Sequence, residues 1–123
     1  MLKLKSHPLI CRIIDVVKDE TNFPCIIMEK CERSLESIIK ENLMSLLPEK
    51  YVLRIFTMIC IPLYYIHKNN IVHRDLKPDN ILLKRIGDKE IFLITDFGTS
   101  QNAMSKFLTT AKKMMTPLYA SYE

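Results

Sequence analysis

The polar groups of this chain that could do chemistry are concentrated in two short motifs. One motif begins at His73 and reads His-Arg-Asp-Leu-Lys-Pro-Asp-Asn, and the other is Asp-Phe-Gly beginning at Asp96. Transfer of the terminal phosphoryl group of a nucleotide to a hydroxyl requires oxygen ligands for Mg²⁺, a carboxylate that orients the hydroxyl, and nearby positive charge. Asp75, Asn80 and Asp96 supply the oxygens. Lys77 supplies a mobile cation two residues beyond the first aspartate.

The two aspartates can be given different tasks on chemical grounds. A carboxylate that orients a hydroxyl must be free of metal. One aspartate therefore orients the hydroxyl, while the other holds Mg²⁺ together with Asn80. The residue types alone leave open which aspartate has which task.

The order of these residues resembles the signature of the protein kinase family, in which H-R-D-L-x-x-x-N is followed by D-F-G. The resemblance implies that Asp75 is the catalytic base, that Lys77 contacts the transferred phosphate, and that Asn80 belongs to the catalytic set and ligates the second metal. It also implies that Asp96 is the main Mg²⁺ ligand and a nucleotide contact. The Lys-Pro pair in the loop is similar to the Ser/Thr-specific form, which implies a protein Ser or Thr as acceptor. The resemblance to the family as a whole implies ATP and Mg²⁺ as cofactors.

The nucleotide pocket of the family is matched by residues before and after the catalytic loop. The segment beginning at Met28 resembles the hinge, and the resemblance implies that this methionine guards the back of the pocket. Glu29 and Cys31 are implied to contact adenine through their backbone groups only. Leu82 resembles the apolar floor under the adenine ring.

The residues after the Asp-Phe-Gly motif resemble the activation segment of the family. Arg74, beside the catalytic base, is implied to meet a phosphate on that segment, and an ordinary surface salt bridge is an equally weighted alternative. Candidate phosphate acceptors are Ser105, Thr109 and Thr110. Thr116 is expected to brace the catalytic loop instead of accepting phosphate.

The resemblance covers essentially all 123 residues, and its outermost matched motifs are the His-Pro pair at position 7 and Glu123, which resembles the glutamate of the A-P-E motif. It implies an α+β fold that is the central part of a protein kinase domain and is incomplete in both lobes. The implied order is the end of the small lobe, the hinge, the short αD helix, the long αE helix, the catalytic loop, a strand hairpin and the activation segment. Residues 1–28 are expected to be a remnant of the small lobe, 29–33 the hinge, and 34–123 the first part of the large lobe.

Three nucleotide-gripping features of the family have no match in this sequence. The family covers the phosphates with a glycine-rich loop and uses a small-lobe lysine paired with a glutamate. Here the only glycines are Gly87 and Gly98, and we expect the lysine and the glutamate to fall before Met1. Two hypotheses follow. The chain is the catalytic segment of a Ser/Thr protein kinase that has little activity in isolation, or it is a non-catalytic, kinase-derived binding or regulatory module.

Composition excludes several other classes. The hydrophobic content of 48% and charged content of 26% are typical of a globular chain, whereas 123 residues are too few for a two-lobed enzyme. The net charge is +4 and the basic residues are scattered, so we expect no nucleic-acid partner. No apolar stretch is long enough to span a membrane, and we expect no membrane association. The four cysteines form no C-x-x-C pair, which favours a cytoplasmic or nuclear location.

Periodicity predicts the elements that must position the site. Segments 11–17 and 24–29 are rich in β-branched residues and predict a hairpin. Residues 34–42 predict a short helix capped by Ser34. Short strands at 81–83 and 91–94, joined through Gly87-Asp88, would bring Asn80 and Asp96 to one edge of a small sheet.

A long helix is predicted over residues 49–68, with a kink near Pro62. Its apolar residues at three- and four-residue spacing define the predicted buried face: Val52, Ile55, Phe56, Ile59, Leu63 and Ile66. Because the family covers this helix and the strands beneath it with elements that have no match here, we also expect a large exposed apolar patch. The expected partners are therefore a chaperone or a complementary kinase lobe, besides the protein substrate.

Overall fold

The computed structural model of the chain describes residues 7–42 and 45–96, and the backbone alone at 101–102. Its α+β architecture agrees with the prediction, and the elements occur in the following order: β1 (Ile13–Lys18), β2 (Pro24–Met28), β3 (Arg33–Ser34), α1 (Leu35–Glu41), α2 (Glu49–Lys68), β4 (Ile71–Val72), a 3-10 helix (Pro78–Asn80), β5 (Ile81–Ile86), β6 (Lys89–Ile94) and β7 (Gln101–Asn102).

Strands β1 and β2 form the predicted antiparallel hairpin, in which Val17 pairs with Cys25. The turn between them is organised by one carboxylate oxygen of Asp19, which accepts hydrogen bonds from the backbone amides of Thr21 at 2.8 Å and Phe23 at 2.9 Å. An aspartate that bonds amides a few residues ahead favours a turn over a continuing strand. Every residue of both strands is exposed, so the hairpin has pairing but no covering layer in the described part of the chain.

Helix α1 begins after the predicted cap. The Ser34 hydroxyl accepts a hydrogen bond from the backbone amide of Ser37 at 3.3 Å, which satisfies one of the amides that a first helical turn leaves without a partner. The helix buries Leu35 and Ile38. The prediction of this short helix is confirmed.

Helix α2 has the predicted bounds, but its buried face is narrower than predicted. Ile55 and Ile66 are buried as the spacing predicts, Ile59 and Leu63 are half-buried, and Pro62, which was not in the predicted face, is also buried. Val52 and Phe56 were predicted to be buried and are instead 46% and 64% exposed. Periodicity shows which residues share a stripe, whereas the width of the covered stripe depends on the neighbouring elements. The kink near Pro62 stays a prediction.

The sheet that carries the site has the order β3-β5-β6 and is antiparallel throughout. Its β5–β6 hairpin turns at Gly87, whose φ of +57° lies in the left-handed region that glycine adopts without strain. Both strands are longer than predicted, yet Ile81 pairs with Ile94, so the start of β5 and the end of β6 lie at one edge as expected.

One hydrophobic core joins this sheet to the two helices. It contains buried residues from α1, α2, β5 and β6: Leu35, Ile38, Ile55, Ile81, Leu83 and Phe92. A backbone bridge links Ile10 to Ile94 and attaches the segment before β1 to the same sheet. Among the described residues, no helix is both long enough and apolar enough to cross a membrane.

A large apolar surface lies outside this core: it includes α2, as predicted, and also the β1–β2 hairpin, whereas β5 and β6 bury Leu83 and Phe92 in the core. On α2 the exposed large side chains include Leu53, Phe56, Ile61 and Tyr64, on the side opposite the buried stripe. On the β1–β2 hairpin the exposed fraction of Phe23 is 68%. Apolar surface of this extent is typical of interfaces.

Candidate active site

The catalytic loop, residues 73–80, lies between β4 and β5. It leaves β4 after Val72 and enters the 3-10 helix at Pro78, a residue whose fixed φ suits the first position of a helical turn. The amide of Asn80 donates to the carbonyl oxygen of Lys77 at 3.0 Å and closes that turn. Strand β5 begins at the next residue, so the turn places Asn80 at the edge of the sheet.

Asn80 and Lys77, two of the predicted site residues, both contact the carboxylate of a third, Asp75. The Nδ2 atom of Asn80 donates to the backbone oxygen of Asp75 at 2.8 Å and to Oδ2 of the same residue at 3.0 Å. The Lys77 ammonium lies 3.1 Å from that Oδ2. Two donors, one of them charged, therefore fix the orientation of the Asp75 side chain.

These contacts also decide the orientation of the Asn80 amide. Because both partners of Nδ2 are acceptors, the nitrogen end of the amide must face Asp75, and its oxygen is the end left to accept or to ligate. The residue is buried. A buried amide oxygen at the edge of a sheet is a suitable ligand for Mg²⁺.

His73 connects the catalytic loop to the segment that carries Asp96. Its Nε2 lies 2.8 Å from the carbonyl oxygen of Thr95, and its Nδ1 accepts from the amide of Asp75 at 3.3 Å. These partners require a neutral ring with the proton on Nε2. The amide of Thr95 in turn donates to the carbonyl oxygen of Asn80 at 3.0 Å. His73 therefore aligns two segments of the site.

The electrostatics of His73 show that both aspartates are its neighbours. Burial lowers the pKa of His73, while the Thr95 carbonyl and the charges of Asp96 and Asp75 act in the opposite direction. Desolvation is the larger effect, so the ring is held neutral. The two carboxylates predicted to divide the chemistry thus act on the same imidazole from two segments of the chain.

Two residues of the site have a left-handed backbone conformation that no sequence pattern predicted. Arg74 has φ of 66° and Asp96 has φ of 60°, both in the left-handed region. This conformation costs a side-chain-bearing residue roughly 1–2 kcal/mol. The hydrogen bonds around His73 and Thr95 hold the chain at these positions, and such strain is typical of functional sites. Arg74 itself is half-buried.

The hinge residues lie where the strand hairpin passes to the sheet. Met28 ends β2, and its sulfur lies 3.7 Å from the hydroxyl of Thr95, the residue before Asp96. The residue predicted to guard the pocket is therefore next to the segment that carries the predicted metal ligand. Leu82 is half-buried on β5, where it pairs with Ser34 and Leu93.

The side chain of Glu29 makes contacts in the structure, although the sequence predicted a role only for the backbone groups of this residue. One oxygen of its carboxylate accepts from the amide of Arg12 at 2.7 Å, and the other forms a salt bridge with Lys84 on β5. Burial tends to raise the pKa of Glu29, but the hydrogen bonds from Lys84 and Arg12 outweigh it and lower the pKa. This carboxylate joins the hinge to both the hairpin and the sheet. Glu29 and Lys84 are 55 residues apart in the sequence, so no local pattern could predict that they form a pair.

The donor set fits Mg²⁺ held jointly with a nucleotide. In the described part of the chain, no three His, Cys, Asp or Glu side chains cluster closely enough to hold a metal by themselves. Mg²⁺ usually takes only one or two protein carboxylates and completes its shell with phosphate oxygens and water. Asp96 and the oxygen of Asn80 meet that requirement. The predicted activation-segment residues Ser105, Thr109, Thr110 and Thr116 lie outside the described residues, as do Phe97 and Glu123.

Comparison of sequences places these features in a family. The family model for the protein kinase domain matches residues 1–123. The chain is 36% identical to the serine/threonine-protein kinase nekl-2 of Caenorhabditis elegans, with all of this chain and 36% of that protein aligned. It is 32% identical to the ovarian-specific serine/threonine-protein kinase Lok of Drosophila melanogaster, with all of this chain and 25% of that protein aligned. The chain therefore spans about a third or less of the length of these relatives.

Comparison of structures agrees with the sequence match. A crystal structure of the yeast RNA Pol II CTD kinase CTDK-1 complex superposes with a TM-score of 0.66 at 26% identity, covering 79% of this chain and 31% of that one. The chain belongs to the protein kinase family and is part of a Ser/Thr protein kinase domain. The predicted resemblance and fold class are confirmed.

Proposed function

We propose that this member of the Ser/Thr protein kinase family is the catalytic segment of an enzyme that transfers phosphate from Mg-ATP to Ser or Thr hydroxyls of proteins. The observation that carries the proposal is the convergence of Asn80 and Lys77 on one oxygen of Asp75. A structural loop has no need for a lysine, an amide and a carboxylate in this arrangement, whereas phosphoryl transfer uses each of them.

The side chains of the loop have distinct tasks in this proposal. Asp75 orients the acceptor hydroxyl and takes its proton, because its carboxylate is held in place by two donors. Lys77 stabilises negative charge on the transferred group. Asn80 and Asp96 hold the metal, and bound Mg-ATP would supply the phosphoryl group and neutralise charge on its phosphates.

The hinge and sheet residues position the nucleotide in the same proposal. The backbone groups of Glu29 and Cys31 would contact adenine, with Met28 at the back of the pocket and Leu82 beneath the ring. The salt bridge from Glu29 to Lys84 supports this assignment, because it fixes the hinge against the sheet that carries Leu82. A fixed hinge lowers the entropy lost when a ligand binds.

We further propose that the 123-residue chain has little activity by itself. Its two glycines, Gly87 and Gly98, both follow the catalytic loop in the sequence, so they cannot form the glycine-rich loop that covers the phosphates in the family. Loss of preorganised electrostatic and positioning groups typically reduces the rate by orders of magnitude. Full activity would then require the missing small-lobe groups.

The alternative function is a non-catalytic, kinase-derived binding or regulatory module. It is favoured by the exposed apolar surfaces of α2 and the β1–β2 hairpin. In either case we propose association with a chaperone or a complementary kinase lobe through these surfaces. Retention of Asp75, Asn80 and Asp96 favours the kinase, because a pure scaffold needs none of them.

Nucleotide binding distinguishes the two functions. A fluorescent N-methylanthraniloyl ATP is titrated with and without Mg²⁺ into the unmutated chain, Asp96→Asn and Asp79→Asn. The last variant is the matched control, because Asp79 is an exposed aspartate of the same loop. We expect Mg²⁺ to strengthen binding to the unmutated chain and the control but not to Asp96→Asn. Equal responses from all three would exclude the proposed metal site.

Turnover is measured on the same proteins with Mg-ATP and a generic Ser/Thr protein substrate such as casein. We expect a rate close to background for the chain alone. Robust phosphorylation by the unmutated chain that is lost in Asp96→Asn would show that the isolated segment is active, contrary to the proposal. It would leave the kinase function itself intact.

A further inference from the structure

Two thiols meet at the hinge. Cys11 precedes β1 and is 6% exposed, and Cys31 follows β2 and is half-buried. The Sγ atom of each lies 4.0 Å from the same oxygen, the backbone carbonyl of Glu29. The two remaining cysteines, Cys25 on β2 and Cys60 on α2, are both exposed.

Backbone contacts hold the two thiols together. The amide of Glu29 donates to the carbonyl oxygen of Arg12 at 3.0 Å, and the Glu29 carboxylate accepts from the amide of Arg12 at 2.7 Å. The amide of Cys11 donates to the carbonyl oxygen of Ile94 at 2.8 Å. The segment before β1 is therefore fixed beside the hinge and against the sheet. Cys11 and Cys31 lie just beyond the end of the hairpin at which Ile13 pairs with Met28, and both thiols reach the same carbonyl oxygen.

The protonation of the pair agrees with this proximity. Burial raises the pKa of Cys31 to about 11, and the neighbouring Cys11 adds to the increase. Burial also raises the pKa of Cys11, against smaller opposing contributions from Thr95 and Cys31. Both thiols are thus protonated near neutral pH and can donate to the Glu29 carbonyl. Their reaction with an electrophile proceeds through a small thiolate fraction, so it accelerates as pH rises.

We propose that Cys11 and Cys31 form a paired-thiol modification site that reacts with a low-molecular-weight disulfide and closes into an intramolecular disulfide across the hinge. Nothing in the proposed phosphoryl transfer uses these thiols. The bond would tie the segment before β1 to the hinge and would remove both S–H donors from the Glu29 carbonyl. Any consequence for adenine binding rests on the proposed function, whereas bond formation does not.

The reaction balances with oxidised glutathione as the oxidant. The thiolate of Cys31, the more exposed thiol, attacks one sulfur of the glutathione disulfide, whose S–S bond breaks and releases one glutathione thiolate. The thiolate of Cys11 then attacks the Cys31 sulfur of the mixed disulfide and expels the second glutathione thiolate. The two cysteines lose two electrons and two protons in total, and the oxidant becomes two molecules of glutathione thiol.

The experiment uses the chain with Cys25→Ser and Cys60→Ser, so that only the proposed pair remains. The protein is incubated with oxidised glutathione at about pH 7 and about pH 9, alkylated with N-ethylmaleimide, and analysed by intact and peptide mass spectrometry. We expect a product that has lost two hydrogens, carries no glutathione, and yields a peptide linking Cys11 to Cys31. Its formation should be faster at the higher pH.

Two controls make the outcome decisive. Adding Cys31→Ser should abolish the closed product, and performing the reaction in urea should slow closure, because the folded hinge no longer holds the thiols together. Stable glutathione adducts without closure, or closure at the same rate in urea, would overturn the proposal. No nucleotide is present in this experiment. A failed ATP titration would therefore leave the thiol pair standing, and a failed closure would leave the nucleotide site standing.

Discussion

The catalytic loop and the β1–β2 hairpin are built in opposite ways. The loop is surrounded by buried contacts, since His73, Asn80 and Thr95 are all buried and bonded to one another. The hairpin has a ladder of strand pairing with one irregularity between Ile13 and Asp15, yet each of its strand residues is exposed. The side chains proposed for phosphoryl transfer are therefore positioned by groups within this chain. The hairpin has no covering layer in the described part of the chain.

In the proposed function, the catalytic loop positions the side chains for phosphoryl transfer, and the hairpin and hinge contact the nucleotide. Asp75, Lys77 and Asn80 contact one another within the loop and its 3-10 helix. The small-lobe side of the pocket rests on an uncovered hairpin joined to the sheet by Glu29 and Lys84. A partner that covers the hairpin would thus complete nucleotide binding without rebuilding the catalytic loop.

The largest expected effect is on the free energy of unfolding, and it is tested by comparing two phenylalanines, one from each region. Phe92 on β6 is 1% exposed and lies in the core, whereas Phe23 at the hairpin turn is 68% exposed. Phe92→Ala should lower the free energy of unfolding by about 3–5 kcal/mol, because it removes a buried ring and leaves a cavity. Phe23→Ala should change it by no more than about 0.5 kcal/mol. Urea denaturation followed by circular dichroism measures both, and similar losses would contradict the contrast drawn between the regions.

A smaller effect should appear as a pH dependence of the catalytic-loop region. Because burial lowers the pKa of His73 below its ordinary 6.5, the unfolded chain binds a proton that the folded chain rejects. The contribution of this residue to stability is therefore complete above about pH 6.5 and is lost as the pH falls below that value. We expect the melting temperature to decrease between about pH 7.5 and 5.5.

Matched variants assign that decrease to His73. His73→Gln should reduce stability at neutral pH and show a weaker dependence on pH over the same interval. His67→Gln removes an exposed histidine at the end of α2 and should keep the dependence of the unmutated chain. If both variants lost the dependence equally, the buried imidazole would not be its source.

The smallest effect on stability should come from the hairpin surface. Ile26 on β2 is 58% exposed, so Ile26→Thr should change the free energy of unfolding by no more than about 0.5 kcal/mol while keeping a β-branched side chain in the strand. The same change removes apolar area from the uncovered face and should reduce self-association. Sedimentation velocity at several protein concentrations measures it. Unchanged association together with a large loss of stability would indicate that this face is already covered.

Local rules predicted most of the elements that carry the site. Helix α2 has the predicted bounds, Ser34 caps α1 as expected, and the Gly87 turn brings the ends of β5 and β6 to one edge. Each of these features depends on residues close together in the chain, where periodicity, capping and turn preferences act. The exposure of Phe56 was predicted wrongly, since its spacing along the helix does not reveal whether another element covers it.

The sequence by itself determined the family and the set of groups available for chemistry, because the types and order of Asp75, Lys77, Asn80 and Asp96 leave few other uses for them. Only the tertiary structure decided how these groups are held and which distant residues meet. The Glu29–Lys84 salt bridge and the left-handed backbone at Asp96 arise from contacts between segments far apart in sequence. Such contacts depend on the packing of whole elements against one another, and no local pattern encodes them.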